Sequence, residues 1–549
     1  MRESVNEKMM KAPLKNMSFE PDFSKQDTLV FGTPRKDGIT PEGIIAHTEE
    51  LLKRTGHLPH KKVLALLLEK IEPIDFLLKA YPEAAEISVE LKAIKVQAEK
   101  GEIPETVQER RTALQNQLKK FKLKQAHYLV TSIEELLTLA LDYQFGICKH
   151  LQFLYLYNGA YWCLLGEEEL CSFLGKVAEK QGIDKYTSRF FLFKENLFKQ
   201  FQASAALPAP DHRRDRVCVN MANGTFQIMD NGAKLREFRR EDFLTYQLPF
   251  AYDPSAQAPL FKRYLSQVLP DPERQQVLAE FLGYVFIPPG ILKLEKALLL
   301  YGSGANGKSV FFEVMNALLG GSANVSNYSL MNLTSETGYY RAQIGNMLVN
   351  YASEINGKLE TSFFKQLVSG EPIEARLPYA PPFILRDYAK LIFNCNELPR
   401  EVEHTHAYFR RFLIIPFDVS IPEGQQDKTL SRRIIETELS GVFNWVLEGL
   451  NRLLTTRQFS PCEAARLQLE QYKEQSDSVK MFLHDGDYLP SPDQFMPLKS
   501  LYQDYRQYCL TEGGFHPVNK VNFSQRLTKS GYVVLRRNVG NVVFLVKNI

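Results

Sequence analysis

Residues 297–321 read Ala-Leu-Leu-Leu-Tyr-Gly-Ser-Gly-Ala-Asn-Gly-Lys-Ser-Val-Phe-Phe-Glu-Val-Met-Asn-Ala-Leu-Leu-Gly-Gly, and the stretch falls into three pieces. Ala297 to Tyr301 is a short apolar run that predicts a strand. Gly302, Ser303, Gly304, Ala305, Asn306, Gly307, Lys308 and Ser309 make a complete G-x-x-x-x-G-K-S loop. Val310 to Leu319 predicts a helix, stopped by Gly320 and Gly321. Strand, loop and helix in this order are the context in which such a loop cradles phosphates. Its glycines let backbone N–H groups converge on an anion, Lys308 reaches the outer phosphates, and Ser309 offers a hydroxyl to Mg²⁺. The positive end of the helix dipole adds to the same point. A glycine-rich turn without nucleotide is the bland alternative, and the flanks disfavour it. The stretch predicts binding of ATP or a close relative.

Around this motif lies a chain of 549 residues, long enough for roughly three or four domains. Hydrophobic residues at 44% and charged residues at 24% are those of an ordinary soluble protein. The formal charge of +3, from 67 Lys and Arg against 64 Asp and Glu, means that nucleic-acid binding has to come from local patches. The cysteines (Cys148, Cys163, Cys171, Cys218, Cys395, Cys462, Cys509) are scattered without a C-x-x-C pair. That argues against a disulfide framework and a zinc site and fits buried thiols in a reducing compartment. The first residues lack an apolar signal core, and no long apolar run follows. A cytoplasmic protein without a membrane partner is expected.

Along the chain, the first forty residues are polar. The stretch from about 41 to 125 is helical in pattern, with Leu64, Leu67, Leu68 and Ile71 at helical spacing. Glu105 to Lys124 reads as one charged helix whose lysine-rich end is more often a solvated face than a nucleic-acid contact. Aromatic-rich strands flank Asn158-Gly159, and a second strand pair flanks Asn223-Gly224. Pro208, Pro210 and Asp211 to Arg216 read as a linker or exposed turn. Pro461 to Lys480 reads as one amphipathic helix. The tail has two helices, Leu498 to Leu510 and Asn522 to Lys529, then a hairpin from Gly531 to Val546. Helices followed by a hairpin with Lys520, Arg526, Lys529, Arg536 and Arg537 nearby predict a winged-helix-like DNA-binding domain. The alternative is a small α+β module that packs on a partner.

Three further segments separate a motor from other nucleotide binders. Asn346 to Glu354 is an apolar strand ending in a carboxylate suited to the Mg²⁺ shell or to orienting an attacking water. Ala389 to Pro399 is another buried strand, tipped by Asn396, whose neutral amide can bond a γ-phosphate or its attacking water. A strand-end turn asparagine is the plain alternative. Arg410 and Arg411 precede the strand Leu413 to Phe417, where one of them could reach a neighbouring subunit's phosphate, with Arg411, adjacent to the strand, the favoured of the two.

This ordered set resembles the superfamily 3 helicases, and more closely the helicase half of the phage and plasmid primase–helicases and the poxvirus-type NTPase group. The residues carrying the resemblance are Asn306 inside the loop, Glu354, the run Phe364 to Arg376, Asn396 with Pro399, and Arg410-Arg411 with Pro416-Phe417. Fainter likeness extends from about Cys148 to the end. The resemblance implies a multidomain α/β chain: an AAA+-like P-loop NTPase core at 261–460, an α+β leader at 126–260, a helical region of unknown role at 1–125, and a C-terminal winged-helix-like domain at 461–549. It implies an ATP- and Mg²⁺-dependent helicase acting in DNA replication as a homo-oligomer, by analogy a hexameric ring. Lys308, Glu354, Asn396, Arg410 and Arg411 would serve catalysis, with Ser309 and Glu354 at the metal. Single-stranded and forked DNA would be its partners, with Lys365, Arg376 and Tyr379 in a channel element and Arg536 and Arg537 in the tail. Residues 1–125 lack a primase-like metal cluster, so a separate primase or polymerase is a further expected partner. A remodelling ATPase and an ATP-controlled DNA-binding initiator stand as alternatives.

Overall fold

The computed structural model describes residues 58–99, 101, 104–207, 216–229, 232–353, 355, 360–399, 404–513 and 516–548. The polar lead-in, the start of the helical region, nearly all of the linker around 211 and the proposed catalytic Glu354 lie outside the described residues. The chain divides into two compact units, Met1–Asp211 with Glu237–Thr245, and His212–Arg236 with Tyr246–Ile549. The segment 126–260 is thus divided between them. The described parts are mixed α/β.

The first unit contains helices α1 (His60–Lys70), α2 (Phe76–Ala80), α3 (Pro82–Ala98), α4 (Glu105–Leu118) and α5 (Gln125–Asp142). The antiparallel strands β1 (Gly146–His150), β2 (Phe153–Tyr157) and β3 (Trp162–Leu164) follow, then α6 (Glu167–Lys180), α7 (Lys185–Arg189) and α8 (Phe191–Ser204). Helix α4 ends at Leu118, short of the lysine-rich stretch that sequence pattern had joined to it. The β2–β3 connection turns on Asn158, whose buried side-chain oxygen accepts from Ala160 N and Tyr161 N, each at 3.0 Å.

The second unit opens with the antiparallel sheet β4 (Arg216–Met221), β5 (Gly224–Met229) and β6 (Gly232–Arg236). Helices α9 (Pro259–Val268) and α10 (Pro272–Tyr284) lead into β7 (Ala297–Tyr301) and α11 (Lys308–Leu318). Next come β8 (Val325–Ser326), α12 (Leu330–Leu333), α13 (Tyr339–Gln343), β9 (Val349–Ala352) and α14 (Thr361–Ser369). The hairpin β10 (Ile373–Ala375) and β11 (Phe383–Leu385) precedes β12 (Lys390–Cys395), α15 (His406–Phe409) and β13 (Phe412–Pro416). Helices α16 (Leu430–Thr437), α17 (Leu439–Thr456) and α18 (Glu463–Gln475) close this part. Five strands form one parallel sheet in the order β13-β7-β12-β9-β8. Parallel sheets are buried on both faces and so read as apolar runs; Leu298, Leu299, Leu300, Ile392 and Phe393 are all fully buried.

The tail is α19 (Ser478–Asp485), β14 (Tyr488–Pro497), α20 (Leu498–Tyr508), α21 (Lys520–Lys529), β15 (Val534–Arg537) and β16 (Gly540–Lys547). Its sheet runs β14-β16-β15, packed on Leu501, Tyr505, Phe523 and Leu527. Two sequence expectations are corrected here. The predicted helix Pro461 to Lys480 is two helices, because Asp477 turns inward to cap α19, accepting from Val479 N at 3.0 Å. Strand β14 was not anticipated: Pro490 and Pro492 read as breakers, and the strand absorbs them with a register shift between Pro490 and Phe495.

Candidate functional site

The G-x-x-x-x-G-K-S loop leaves the carboxyl end of β7 and is pinned at its root by both flanking strands. Gly302 N donates to Cys395 O of β12 at 3.1 Å, and Phe417 N, just past β13, donates to Tyr301 O at 2.7 Å. Within the loop Gly304, Ala305 and Gly307 have φ of +108°, +50° and +85°, a sequence of left-handed positions that curls backbone N–H groups to one side. A Cβ on Gly302 would lie 2.2 Å from Asn306 Nδ2 and 2.6 Å from Phe417 O, so only glycine fits. From below, Tyr264 of α9 donates its hydroxyl to Gly307 O at 2.8 Å.

Lys308 is 7% exposed. Its ammonium donates to Gly302 O at 2.6 Å and Asn306 Oδ1 at 3.1 Å, and among the described residues it pairs with no carboxylate. Burial lowers its pKa, the cost of keeping a cation among neutral carbonyls. Asn306 in turn donates to Phe417 O at 3.1 Å. Ser309 is exposed in the first turn of α11. A buried cation with no carboxylate partner among the described residues, in a loop with left-handed glycines, suits a phosphate group.

Asn396 is exposed one residue past β12, whose Cys395 pairs with Tyr301. It therefore stands beside the root of the loop, while Ser353 follows the end of β9, the strand on the other side of β12. Arg410 and Arg411 are elsewhere. Strand β13 runs parallel to β7 with Phe412 opposite Ala297 and Pro416 opposite Tyr301. The arginines thus sit at the amino edge of the sheet and the loop at its carboxyl edge, on the order of 15 Å apart at the rise of a strand. They differ in environment. Arg411 is 7% exposed and donates to Ala407 O and, at 3.0 Å, to Ser369 Oγ. The Arg410 side chain is 43% exposed, with its guanidinium 2.5 Å from Glu295.

The β10–β11 hairpin ends in a turn in which Ala380 N donates to Leu377 O at 3.1 Å. Tyr379 occupies its third position at φ +61°, where glycine is favoured, with its ring fully exposed. Arg376 is spent on the same tip, donating to Ala380 O at 2.9 Å. The hairpin base rests on Arg341, 1% exposed, which donates to Glu374 O at 2.8 Å and stacks over Phe363. Lys365 is half-buried on α14. In the tail, Arg526 bonds Asp477 at 3.1 Å and Arg537 lies 4.5 Å over the Phe495 ring, whereas Arg536 is exposed on β15. All seven cysteines are free. Among the described residues no helix is long and apolar enough to cross a membrane.

Sequence pattern missed Tyr264, Arg341, Glu295 and Lys296. Each acts on a backbone or side chain far along the chain, and no local spacing marks such a partner.

Comparison with known proteins bears on two segments. Residues 300–411 match a family of unknown function, DUF5906, and residues 140–270 match the D5 N terminal like family. A protein of Acanthamoeba polyphaga mimivirus named "Putative helicase L207/L206" is 26% identical over 160 residues. That stretch is 28% of this chain and 16% of the mimivirus protein, so most of the relative has no counterpart in the match. Apo structures of the NrS-1 C-terminal region align with 76% of this chain and 99% of theirs, at 11–12% identity and a TM-score of 0.43. The two family matches and the mimivirus relative each cover only part of this chain.

Proposed function

We propose that this chain is an ATP-driven DNA helicase of the superfamily 3 kind, working in replication as a ring of identical subunits. The observation that carries the proposal is the opposite placement of the phosphate loop and the Arg pair on one parallel sheet. An arginine too far to serve its own loop has a role in hydrolysis only if the next subunit's nucleotide lies against it. The strand order, with the loop on β7 and Asn396 beside it, supports reading this sheet as an AAA+-like P-loop core. ATP would be held by Gly302 to Ser309, with Lys308 on the outer phosphates and Ser309 toward Mg²⁺. Asn396 would orient the attacking water, together with Glu354. Of the two arginines, Arg410 is the better finger, because Arg411 is committed to Ala407 and Ser369 within its own subunit. The name of the mimivirus relative agrees with this reading. Strand displacement on a forked duplex, with ATP and with a Lys308→Ala control, tests it. DNA-stimulated hydrolysis without displacement would favour an initiator, and DNA-independent hydrolysis a protein remodeller.

Two predictions attach to this reading. Glu354→Gln should retain ATP binding, since Lys308 and the loop are untouched, and should lose about 100-fold or more in hydrolysis as the water loses its base. Loss of nucleotide affinity in a binding titration would instead make Glu354 a metal anchor. Tyr379 would stack on a base in the channel, a contact contributing about 1–3 kcal/mol. Tyr379→Gly relieves the left-handed backbone, so its thermal midpoint should hold or rise. Strand displacement should nevertheless fall about tenfold; unchanged displacement removes the tip from the DNA path. The tail, with two helices between strand β14 and the β15–β16 hairpin, supports the reading of a winged-helix-like DNA-binding domain, and Lys520, Lys529 and Arg536 are exposed on it. Arg526 and Arg537 have structural partners and contribute less to that surface.

A further inference from the structure

We infer that Glu295, followed by Lys296 and Ala297, is a positioning residue that holds Arg410 in the pose serving the adjoining subunit's nucleotide; this rests on the trans arrangement proposed above. Three consecutive residues engage three consecutive residues. The Glu295 carboxylate lies 2.5 Å from the Arg410 guanidinium and 3.8 Å from that of Arg411. The Lys296 ammonium donates to Arg410 O at 2.6 Å and to Phe412 O at 3.3 Å, bridging the carbonyls on either side of Arg411. Ala297 N donates to Arg411 O at 2.8 Å. The Arg pair is therefore gripped by backbone and side chain together.

Glu295 itself has φ +52°, a conformation that glycine adopts freely and other residues do not. What glutamate adds there is its carboxylate; the side chain is four-fifths buried, one oxygen toward the arginines and the other 3.7 Å from the Lys293 ammonium. A guanidinium carries five donors in one plane, so the nitrogen facing Glu295 leaves others for a phosphate. An arginine on a free stem would have to be ordered at each encounter. One already anchored meets the neighbour's phosphate with that ordering done. The anchor is also tied to the subunit's own nucleotide: Ala297 begins β7, and β7 ends at Tyr301, immediately before Gly302 of the loop. One strand thus links the loop that holds a subunit's ATP to the arginine it lends its neighbour.

The test uses the full chain. Glu295→Gln keeps the size of the side chain and removes its charge; Glu295→Gly also relaxes the backbone and so guards against a folding artefact. In both, kcat for ATP hydrolysis should fall about tenfold or more while KM for ATP stays, because the loop that binds ATP is intact. The thermal midpoint of Glu295→Gly should not drop. Mixing Glu295→Gln subunits with Lys308→Ala subunits should restore turnover, since an intact Lys308 then meets an Arg410 held by an intact Glu295. A merely structural role gives no such rescue. Unchanged or raised kcat in Glu295→Gln, or a loss that mixing does not relieve, overturns the inference. If Arg410→Ala itself keeps full hydrolysis, the trans reading fails first. If Arg410→Ala loses hydrolysis and is rescued by mixing while Glu295→Gln behaves as wild type, only the clamp is wrong.

Discussion

Replacing Lys308 by alanine is expected to abolish ATP hydrolysis, by about 10³-fold or more, while the protein stays folded. The size of the effect follows from where the ammonium sits. It is buried, its pKa is lowered by that burial, and its partners are two neutral carbonyls, Gly302 O and Asn306 Oδ1. Such a cation contributes little to stability, because its desolvation offsets its hydrogen bonds. Its removal leaves two acceptors one donor short, about 1–2 kcal/mol at most. The thermal midpoint should therefore move by no more than about 4 °C. Binding of ATP to the variant should weaken less than turnover, since the backbone donors of the loop remain. Turnover close to wild type in the purified variant would end the nucleotide assignment.

The second large effect belongs to Arg410→Ala. Its loss of hydrolysis should be on the order of 10³-fold, as for other arginines supplied across an interface, with ATP binding kept. Stability should hardly change, because a half-exposed ion pair such as Arg410 with Glu295 contributes about 1 kcal/mol or less. Mixing with Lys308→Ala subunits distinguishes trans from cis. In a randomly assembled ring about one interface in four then joins an intact Lys308 to an intact Arg410, so a comparable fraction of wild-type turnover should return. Arg411→Ala should behave differently: it breaks the bonds to Ala407 and Ser369 and should lower the thermal midpoint. Hydrolysis by Arg410→Ala at the wild-type rate, or a loss without rescue, would make a self-contained ATPase the better account.

The glycine-rich turn between β7 and α11 was legible because its determinants are contiguous. Glycines at 302, 304 and 307 mark a backbone that other residues resist, and Lys308 follows at the helix start. The strands around it were legible for the same kind of reason, as short fully apolar runs. Strand β14 was not, since Pro490 and Pro492 carry a local signal against pairing that the antiparallel partner β16 overrides. The break at Asp477 was hidden too: an acid inside an amphipathic pattern reads as a solvated face until its carboxylate is seen capping α19 and bonding Arg526.

Sequence by itself determined that this chain carries a G-x-x-x-x-G-K-S run between an apolar stretch and a helix, followed in order by Glu354, Asn396 and the Arg410-Arg411 pair. Each is written in a few adjacent residues. Only the tertiary structure decided which of these meet. Pairing of Phe412 with Ala297 sets Arg410 and Arg411 at the edge of the sheet away from Lys308, and burial separates one arginine from the other. Lys308 is held by Asn306, and Asn306 by Phe417, a carbonyl 111 positions away. Glu295 finds Arg410 across a comparable stretch. The physical reason is that parallel strands are joined by crossovers and not by turns, so their register is set by hydrogen bonds and packing between distant segments. No local pattern encodes those partners, and a site shared between strand ends is assembled only when the sheet is.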